Sequence, residues 1–250
     1  MQIRSPNARA LFIRRTMPQL RDAIARSFQL FRPLGADYSK QERVWTFPNG
    51  ATCEFGFLDS PDDKYNYLGR QFTLLAFDEL AQLGADSVDA QGNPISSSYL
   101  YLLSRLRSPE GSGVKHEVRC ATNPAGPGLG WVRARWQIPD DGSASECIDE
   151  ATGFRRQFIP AKLSDNPFLR DTDYAVGLKT LAKADYKALA LGRWDSFLAA
   201  SSMSGIQTCT PAGPSMSRQS GRRGEAQTMV TRLLPQRFGS LWIAHTTKFT

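Results

Sequence analysis

The sequence lacks the features that define several large classes of protein. None of its apolar runs approaches the roughly 18 residues that a membrane-spanning helix requires. Residues 1–6 show no apolar core of the kind that signal peptides carry. The four cysteines are far apart, with no Cys-x-x-Cys pair and only two histidines, so neither a zinc site nor a disulfide framework is predicted. We therefore expect a cytoplasmic protein with no membrane segment.

The net charge is also small over most of the chain. The formal net charge is +7, but residues 199–250 contain six Lys or Arg and a single acid, Glu225, and so account for +5. Residues 1–198 carry only the remaining +2. Basicity is therefore a property of the C-terminal stretch, and it is poor evidence for a DNA-binding face on the main body.

One stretch organises the rest of the chain: the apolar run that begins at Gln71 and ends in Asp78 and Glu79. Such a run favours a strand buried on both faces of a parallel sheet. In open sheets of this kind ligands bind beyond the carboxyl ends of the strands. Neighbouring strand residues point to opposite faces, so the chain must turn at this point if both carboxylates are to face one ligand. The same residues also fit a strand whose polar end simply meets solvent.

Polar residues follow two further apolar strands. The strand Ala8 to Ile13 leads to Arg14 and Arg15, which can reach a phosphate or remain solvated surface charges. A strand over residues 114–120 is followed by Thr122 and Asn123, which can sense a terminal phosphate or cap a strand-end turn. Arg70, directly before the central strand, suits a surface arginine or an arginine finger that acts on a neighbouring subunit.

The other elements predict an α/β fold. Thr16 begins a helix after the first strand, and residues 44–57 form a hairpin. A short helix spans 130–136, a polar loop spans 137–153, and a strand runs from 154 to 159. A helical pair then begins at 165–167 and ends at Gly192. Strands alternating with helices indicate a mostly parallel sheet with flanking helices.

A set of short motifs resembles the ATPase domain of the large terminase subunit of tailed bacteriophages. No single motif is specific to that family. The ordered set, which covers roughly residues 8–198, is specific. The motifs are Leu11-Phe-Ile-Arg-Arg-Thr16, Trp45-x-Phe-Pro-Asn-Gly50-Ala, Gly69-x-Gln-Phe72, Phe77-Asp-Glu-Leu80, Ala121-Thr-Asn-Pro124, Gly130-Trp-Val132 and Leu191-Gly-x-Trp-Asp-x-Phe197.

The resemblance implies a P-loop NTPase-like fold of the additional-strand type, with ATP and Mg²⁺ as cofactors. On that pattern Asp78 is the magnesium-side carboxylate, Glu79 is the catalytic base, and Thr122 with Asn123 forms the coupling motif. Such proteins hydrolyse ATP to package double-stranded DNA into procapsids. The implied partners are the portal protein, the small terminase subunit and further copies of the chain in a ring, in the cytoplasm of a bacterial host.

Two departures from the family pattern lead to further expectations. The family's Gly-rich phosphate loop, which ends in Gly-Lys-Ser or Gly-Lys-Thr, is absent from the sequence. We therefore expect an N-terminally truncated ATPase domain over residues 1–198, which hydrolyses no ATP by itself. The alternatives are a non-enzymatic prophage remnant or DNA-associating fragment, and another P-loop ATPase such as a helicase.

The second departure is the C-terminal stretch, where the family continues into a nuclease domain. Residues 199–250 are instead rich in Ser, Thr, Gly and Arg. Shifting the codon frame across Gln227 to Val230 allows Asp-Tyr-Gly, and the same shift across Ser202 to Gln207 allows Asp-Glu-Trp-Asp-Pro-Asp. Both strings resemble the family's continuation. The hypothesis is that residues 199–250 are a frameshifted and largely disordered tail.

Overall fold

The computed structural model describes residues 4–108, 112–149, 152–169, 172–195 and 241–246. The strands are β1 (Arg9–Arg14), β2 (Asp37–Ser39), β3 (Val44–Thr46), β4 (Thr52–Phe57), β5 (Leu74–Asp78), β6 (Ser87–Val88), β7 (Pro94–Ser96), β8 (Glu117–Thr122), β9 (Ser145–Ile148), β10 (Arg155–Ile159) and β11 (Leu241–Thr246). The α-helices are α1 (Met17–Phe31), α2 (Ser98–Leu103), α3 (Leu129–Trp136), α4 (Asp173–Leu178) and α5 (Lys183–Leu191). Short 3-10 helices cover Arg32–Leu34, Pro61–Tyr67, Leu80–Gln82 and Leu163–Asp165.

Within the described residues, a nine-stranded sheet has the order β2-β3-β4-β1-β5-β8-β11-β10-β9, and β6 pairs separately with β7. The four central strands, β4, β1, β5 and β8, are parallel. The strands on either side of them are antiparallel to their neighbours. The predicted α/β class with flanking helices is confirmed, and the parallel pairing lies at the centre of the sheet.

The two faces of β1 enter two different hydrophobic clusters, because successive strand residues point to opposite faces. Leu11 and Ile13 join one cluster, in which α2 and α3 pack on the sheet around Tyr99 and Trp136. Ala10 joins the other cluster, which lies under α1. The sheet is therefore covered on both faces, as a parallel sheet requires.

Helix α1 is fixed to its face of the sheet by an aromatic cluster and one buried hydrogen bond. The indole of Trp45, which is fully buried, packs edge-on against Phe28 and Phe31. Its Nε1 donates to Oγ of Ser27 at 2.8 Å. At the start of the helix, the backbone N–H of Thr16 donates to the side chain of Gln19, as expected for a helix that begins at this residue.

Several predicted elements are confirmed and two are wrong. The strand before Arg14, the β3–β4 hairpin and helix α3 lie where the sequence predicts them. The predicted polar loop 137–153 is wrong in part, because β9 forms within it by pairing with β10. A helix does not begin at 165–167: the side chain of Asn166 accepts the backbone N–H of Phe168 and closes a turn, and α4 begins only at Asp173.

Most of the predicted frameshifted tail, 199–250, lies outside the described residues. Leu241–Thr246 is the exception and forms β11, which lies between β8 and β10 and is antiparallel to both. Whether the stretch as a whole is disordered stays a prediction. Among the described residues, no helix is both long enough and apolar enough to cross a lipid bilayer.

Candidate functional site

The candidate site lies along the side of the sheet that is formed by the carboxyl ends of its central parallel strands. β1 ends at Arg14, β5 at Asp78 and β8 at Thr122. Because β1, β5 and β8 are parallel neighbours, their last residues lie at the same edge. We call this edge, with Arg14, Asp78, Glu79, Thr122 and Asn123, the acidic rim.

Glu79 turns the chain at the end of β5. Its φ of 55° and ψ of 49° place it in the left-handed region, which few residues other than glycine adopt. The chain then enters the 3-10 helix Leu80–Gln82. This conformation brings the carboxylates of Asp78 and Glu79 to the same edge of the sheet, as the sequence requires if the pair is to serve one site.

Asp78 is held by an arginine from the neighbouring strand. Nε and Nη2 of Arg14 lie 2.7 Å and 2.5 Å from Oδ2 of Asp78, and both side chains are 16% exposed. Nη1 of Arg14 donates to the backbone carbonyl of Gln19 at 3.1 Å. Arg14 is therefore committed to Asp78 and to the first turn of α1, and Oδ1 of Asp78 has no hydrogen bond or ion pair with any described residue.

The end of β8 is bonded to the turn that follows Glu79. Oγ1 of Thr122, a fully buried residue, accepts the backbone N–H of Ala81 at 3.0 Å. The hydroxyl itself donates to the carbonyl of Asn123 at 3.0 Å. Thr122 therefore serves as a structural link between two strand ends, and its side chain is turned away from solvent.

Asn123 contacts the carboxylate of Glu79 directly. Its Nδ2 donates to Oε1 at 3.2 Å and lies 3.5 Å from Oε2. The sequence predicts that the acidic pair and the Thr-Asn pair meet at one edge, and this contact brings them together. The contact links the ends of β5 and β8 through their side chains.

The surroundings of Glu79 raise its pKa above the usual range of a glutamate. Burial is the largest cause, and the neighbouring Asp78 carboxylate adds to it; Arg14 and the hydrogen bonds from Asn123 act in the opposite direction. A carboxylate with a raised pKa is a stronger base at neutral pH. The rim thus combines one carboxylate fixed by an arginine with one whose basicity is enhanced.

Two predicted site residues are not part of the rim. Arg15 is exposed. Arg70 lies at the opposite end of the sheet, where Nη1 donates to Oε1 of Glu54 at 2.8 Å. The predicted role of Arg70 on a neighbouring subunit stays a prediction.

The structure also shows that the start of α3 packs against the turn after Glu79, a contact that the sequence did not predict. The backbone of Gly128 approaches the turn after Glu79, with its N–H 2.7 Å from the carbonyl of Ala81. Nε1 of Trp131 donates to the carbonyl of Leu83 at 2.8 Å. The beginning of α3 therefore supports the acidic rim from behind. The Gly-x-Gly spacing before α3 was the available signal, since glycine often marks a close backbone approach.

The donor set can hold at most part of a metal site. Among the described residues, there is no group of three or more His, Cys, Asp or Glu side chains that could enclose a metal ion. Mg²⁺, however, commonly uses only one or two protein carboxylates and keeps several waters and substrate oxygens. Asp78 Oδ1 suits this type of binding.

Comparison with known proteins gives no family or function for this chain. No protein-family model, no curated protein and no solved structure matches this chain.

Proposed function

We propose that the acidic rim is the site of ATP hydrolysis in a magnesium-dependent ATPase domain, of the kind found in the large terminase subunit of tailed bacteriophages. The observation that carries this proposal is the hydrogen bond from Asn123 to Glu79. It connects a carboxylate of raised pKa with the end of the next parallel strand, which is the connection that a motor needs between hydrolysis and movement.

Each rim residue has a role in this proposal. Glu79 accepts a proton from the attacking water, and its raised pKa favours that step. Asn123 fixes the orientation of the Glu79 carboxylate and responds when its charge changes. Thr122 holds the turn after Glu79 at a constant distance from β8. Arg14 fixes Asp78 and thereby the direction of its Oδ1 atom.

The chemistry of Asp78 fits a magnesium ion. A bound Mg²⁺ would neutralise the charge that develops on a phosphoryl group during transfer. Oδ1 of Asp78 can bind one of the waters around the ion while Arg14 continues to hold Oδ2.

Binding of the ATP triphosphate requires a phosphate-binding loop that this sequence lacks. A Gly-rich loop ending in Gly-Lys-Ser or Gly-Lys-Thr normally surrounds the phosphates with backbone N–H groups, and the 250 residues contain no Gly-Lys pair. The proposal therefore requires a phosphate-binding segment from outside these 250 residues. It also includes the family's partners: double-stranded DNA, a portal protein, a small terminase subunit and a ring of copies in which Arg70 faces a neighbour.

The experiment begins with the DNA upstream of the Met1 codon. That DNA is expected to encode, in some frame, a Gly-rich segment that ends in Gly-Lys-Ser or Gly-Lys-Thr. The chain alone should hydrolyse no ATP above background, whereas the chain joined to that segment should hydrolyse ATP when Mg²⁺ is present. Glu79→Gln should lower kcat of the joined protein by about 10² to 10⁴.

Glu42→Gln provides the matched control, because Glu42 is an exposed carboxylate in the β2–β3 connection. It should leave turnover unchanged. Upstream DNA without such a segment, or a joined protein whose ATP turnover Glu79→Gln leaves unchanged, would contradict the proposal. ATP turnover by the chain alone would contradict only the requirement for the missing segment. A joined protein that is inactive but binds DNA in a salt-dependent manner would favour a DNA-associating remnant.

A further inference from the structure

A second site lies at the opposite end of the parallel strands. A cavity of about 470 Å³ opens where β1, β4 and β5 begin, and its lining includes Arg9, Arg70 and Arg107. Arg9 starts β1 and Arg14 ends it, so five residue steps of extended chain separate this cavity from the acidic rim. That distance is about 16 Å, which is too far for one small ligand to contact both sites.

The backbone around the cavity is fixed by hydrogen bonds. The N–H of Arg9 donates to Oγ1 of Thr73 at 3.0 Å, and the Thr73 hydroxyl donates back to the carbonyl of Arg9 at 3.2 Å. Arg107 is positioned by its backbone N–H, which donates to the carbonyl of Phe72 at 2.9 Å. The arginines thus project from backbone that is already ordered, which lowers the entropic cost of binding a ligand.

The charges in the cavity are unbalanced. Three arginines line it, and its carboxylate is that of Glu54. Glu54 is engaged by Arg70, whose Nη1 and Nη2 bind its two oxygens. Arg70 also lies over the ring of Phe72, with Cζ 5.3 Å from the ring centroid. Arg70 is therefore largely neutralised and held in place.

Arg9 and Arg107 are the other two cations of the lining, and both are exposed. Within the described ranges, neither forms an ion pair with a carboxylate. An anion can therefore reach both from solvent, and the planar guanidinium groups match the oxygen atoms of a phosphate.

We propose that this cavity binds the phosphate group of a small phosphorylated molecule, with Arg9 and Arg107 as the phosphate ligands. A phosphate alone would leave much of the 470 Å³ empty, and cavities of this volume commonly hold small organic ligands. The wall formed by Val44 and Phe72 offers apolar contact to the remainder of such a molecule. The site is separate from the acidic rim, and its phosphate ligands, Arg9 and Arg107, have no role in the ATPase proposal; Arg70, which does, lines the same cavity.

Calorimetric titration of the purified chain with inorganic pyrophosphate tests this site. Binding of one pyrophosphate per chain is expected, and Arg9→Gln and Arg107→Gln should each weaken the affinity by about tenfold or more. Arg21→Gln is the matched control, because Arg21 is an exposed arginine on α1 that does not line the cavity. It should leave the affinity unchanged.

A variant that binds pyrophosphate more tightly distinguishes a ligand-binding role of the arginines from a structural role. Glu54→Gln removes the carboxylate from the cavity and releases Arg70, so pyrophosphate should bind about threefold tighter or better. Melting temperatures of all variants, measured in parallel, show which of them fold. Should Arg9→Gln fail to fold, Arg107→Gln and Glu54→Gln still decide the question in opposite directions.

Three outcomes would overturn the proposal. The first is the absence of pyrophosphate binding, and the second is binding that neither arginine variant weakens. The third concerns a different class of ligand: a DNA oligonucleotide that binds in place of pyrophosphate, with the affinity lost in the same two variants, would show that the cavity contacts a nucleic acid backbone.

Discussion

Arg14 and Asp78, which are 64 residues apart in the chain, form a partly buried ion pair between the ends of two adjacent strands. Both nitrogen contacts go to one carboxylate oxygen, Oδ2, so the second oxygen is left for another partner. The pair therefore serves as an orienting device: it fixes the carboxylate without using all of its binding capacity.

The first prediction concerns the energy of this pair. In a double-mutant cycle with Arg14→Met and Asp78→Asn, urea unfolding should give a coupling energy of about 1–3 kcal/mol, because both side chains are shielded from water. The exposed pair Arg155 and Glu146 is the control and should give a coupling of about 1 kcal/mol or less. Equal coupling energies in the two cycles would contradict the orienting role.

The second prediction concerns pH. Burial, reinforced by the Asp78 carboxylate, raises the pKa of Glu79 in the folded chain above its unfolded value of about 4.5. Between these two values the folded state holds more protons than the unfolded state, so Glu79 lowers the free energy of unfolding as pH rises through this window. Below it, the carboxyl is neutral in both states and has no such effect.

Glu79→Gln removes this titration, so the melting temperature of the variant relative to the parent should be higher at about pH 7 than at about pH 4. Glu42→Gln, at an exposed position, should show a much smaller difference between the two conditions. A Glu79→Gln difference that stays constant with pH would show that the carboxyl titrates alike in both states.

The third prediction concerns the backbone at Glu79. A residue with a Cβ atom is strained at φ 55°, whereas glycine adopts this conformation freely. Glu79→Gly and Glu79→Ala both remove the carboxylate, and the difference between them is this strain less the greater freedom of glycine in the unfolded chain. The glycine variant should therefore be more stable than the alanine variant by about 1 kcal/mol in urea unfolding. The reverse order would mean that Glu79 does not hold the left-handed conformation in solution.

The fourth prediction concerns the support behind the rim. A Cβ atom added to Gly128 would lie 2.2 Å from the carbonyl oxygen of Leu83 and 2.9 Å from that of Ala81, both of them backbone atoms. Gly128→Ala should therefore destabilise the fold by about 1–3 kcal/mol.

Gly130 is the matched control for Gly128, because it lies within α3 and an added Cβ would meet nothing within 4 Å. Gly130→Ala should stabilise the chain by about 0.5–1 kcal/mol, since alanine favours the helix. Thermal unfolding of both variants checks the pair, and equal effects would show that α3 does not press on the turn after Glu79.

The contribution of the sequence is clearest at the strand ends. The apolar run before Asp78 and the polar residues after the strand that contains Cys120 are local patterns, and they predicted which side chains reach the rim. A turn after Asp78 was predicted from the need to bring two adjacent carboxylates to one end of the strand, and the structure shows that Glu79 makes it in the left-handed conformation. Sequence patterns failed at β9, because a short edge strand forms only when a partner such as β10 is beside it.

By itself, the sequence determined the alternation of buried strands and helices and the polar residues at their ends, because burial on a strand or helix produces a periodic pattern in neighbouring residues. Only the tertiary structure decided that Arg14 holds Asp78, that Asn123 contacts Glu79, and that β11 lies between β8 and β10. The two side-chain contacts join residues that are 64 and 44 positions apart. Strand pairing likewise depends on backbone groups that every residue type presents alike, so local sequence carries little information about which strands meet.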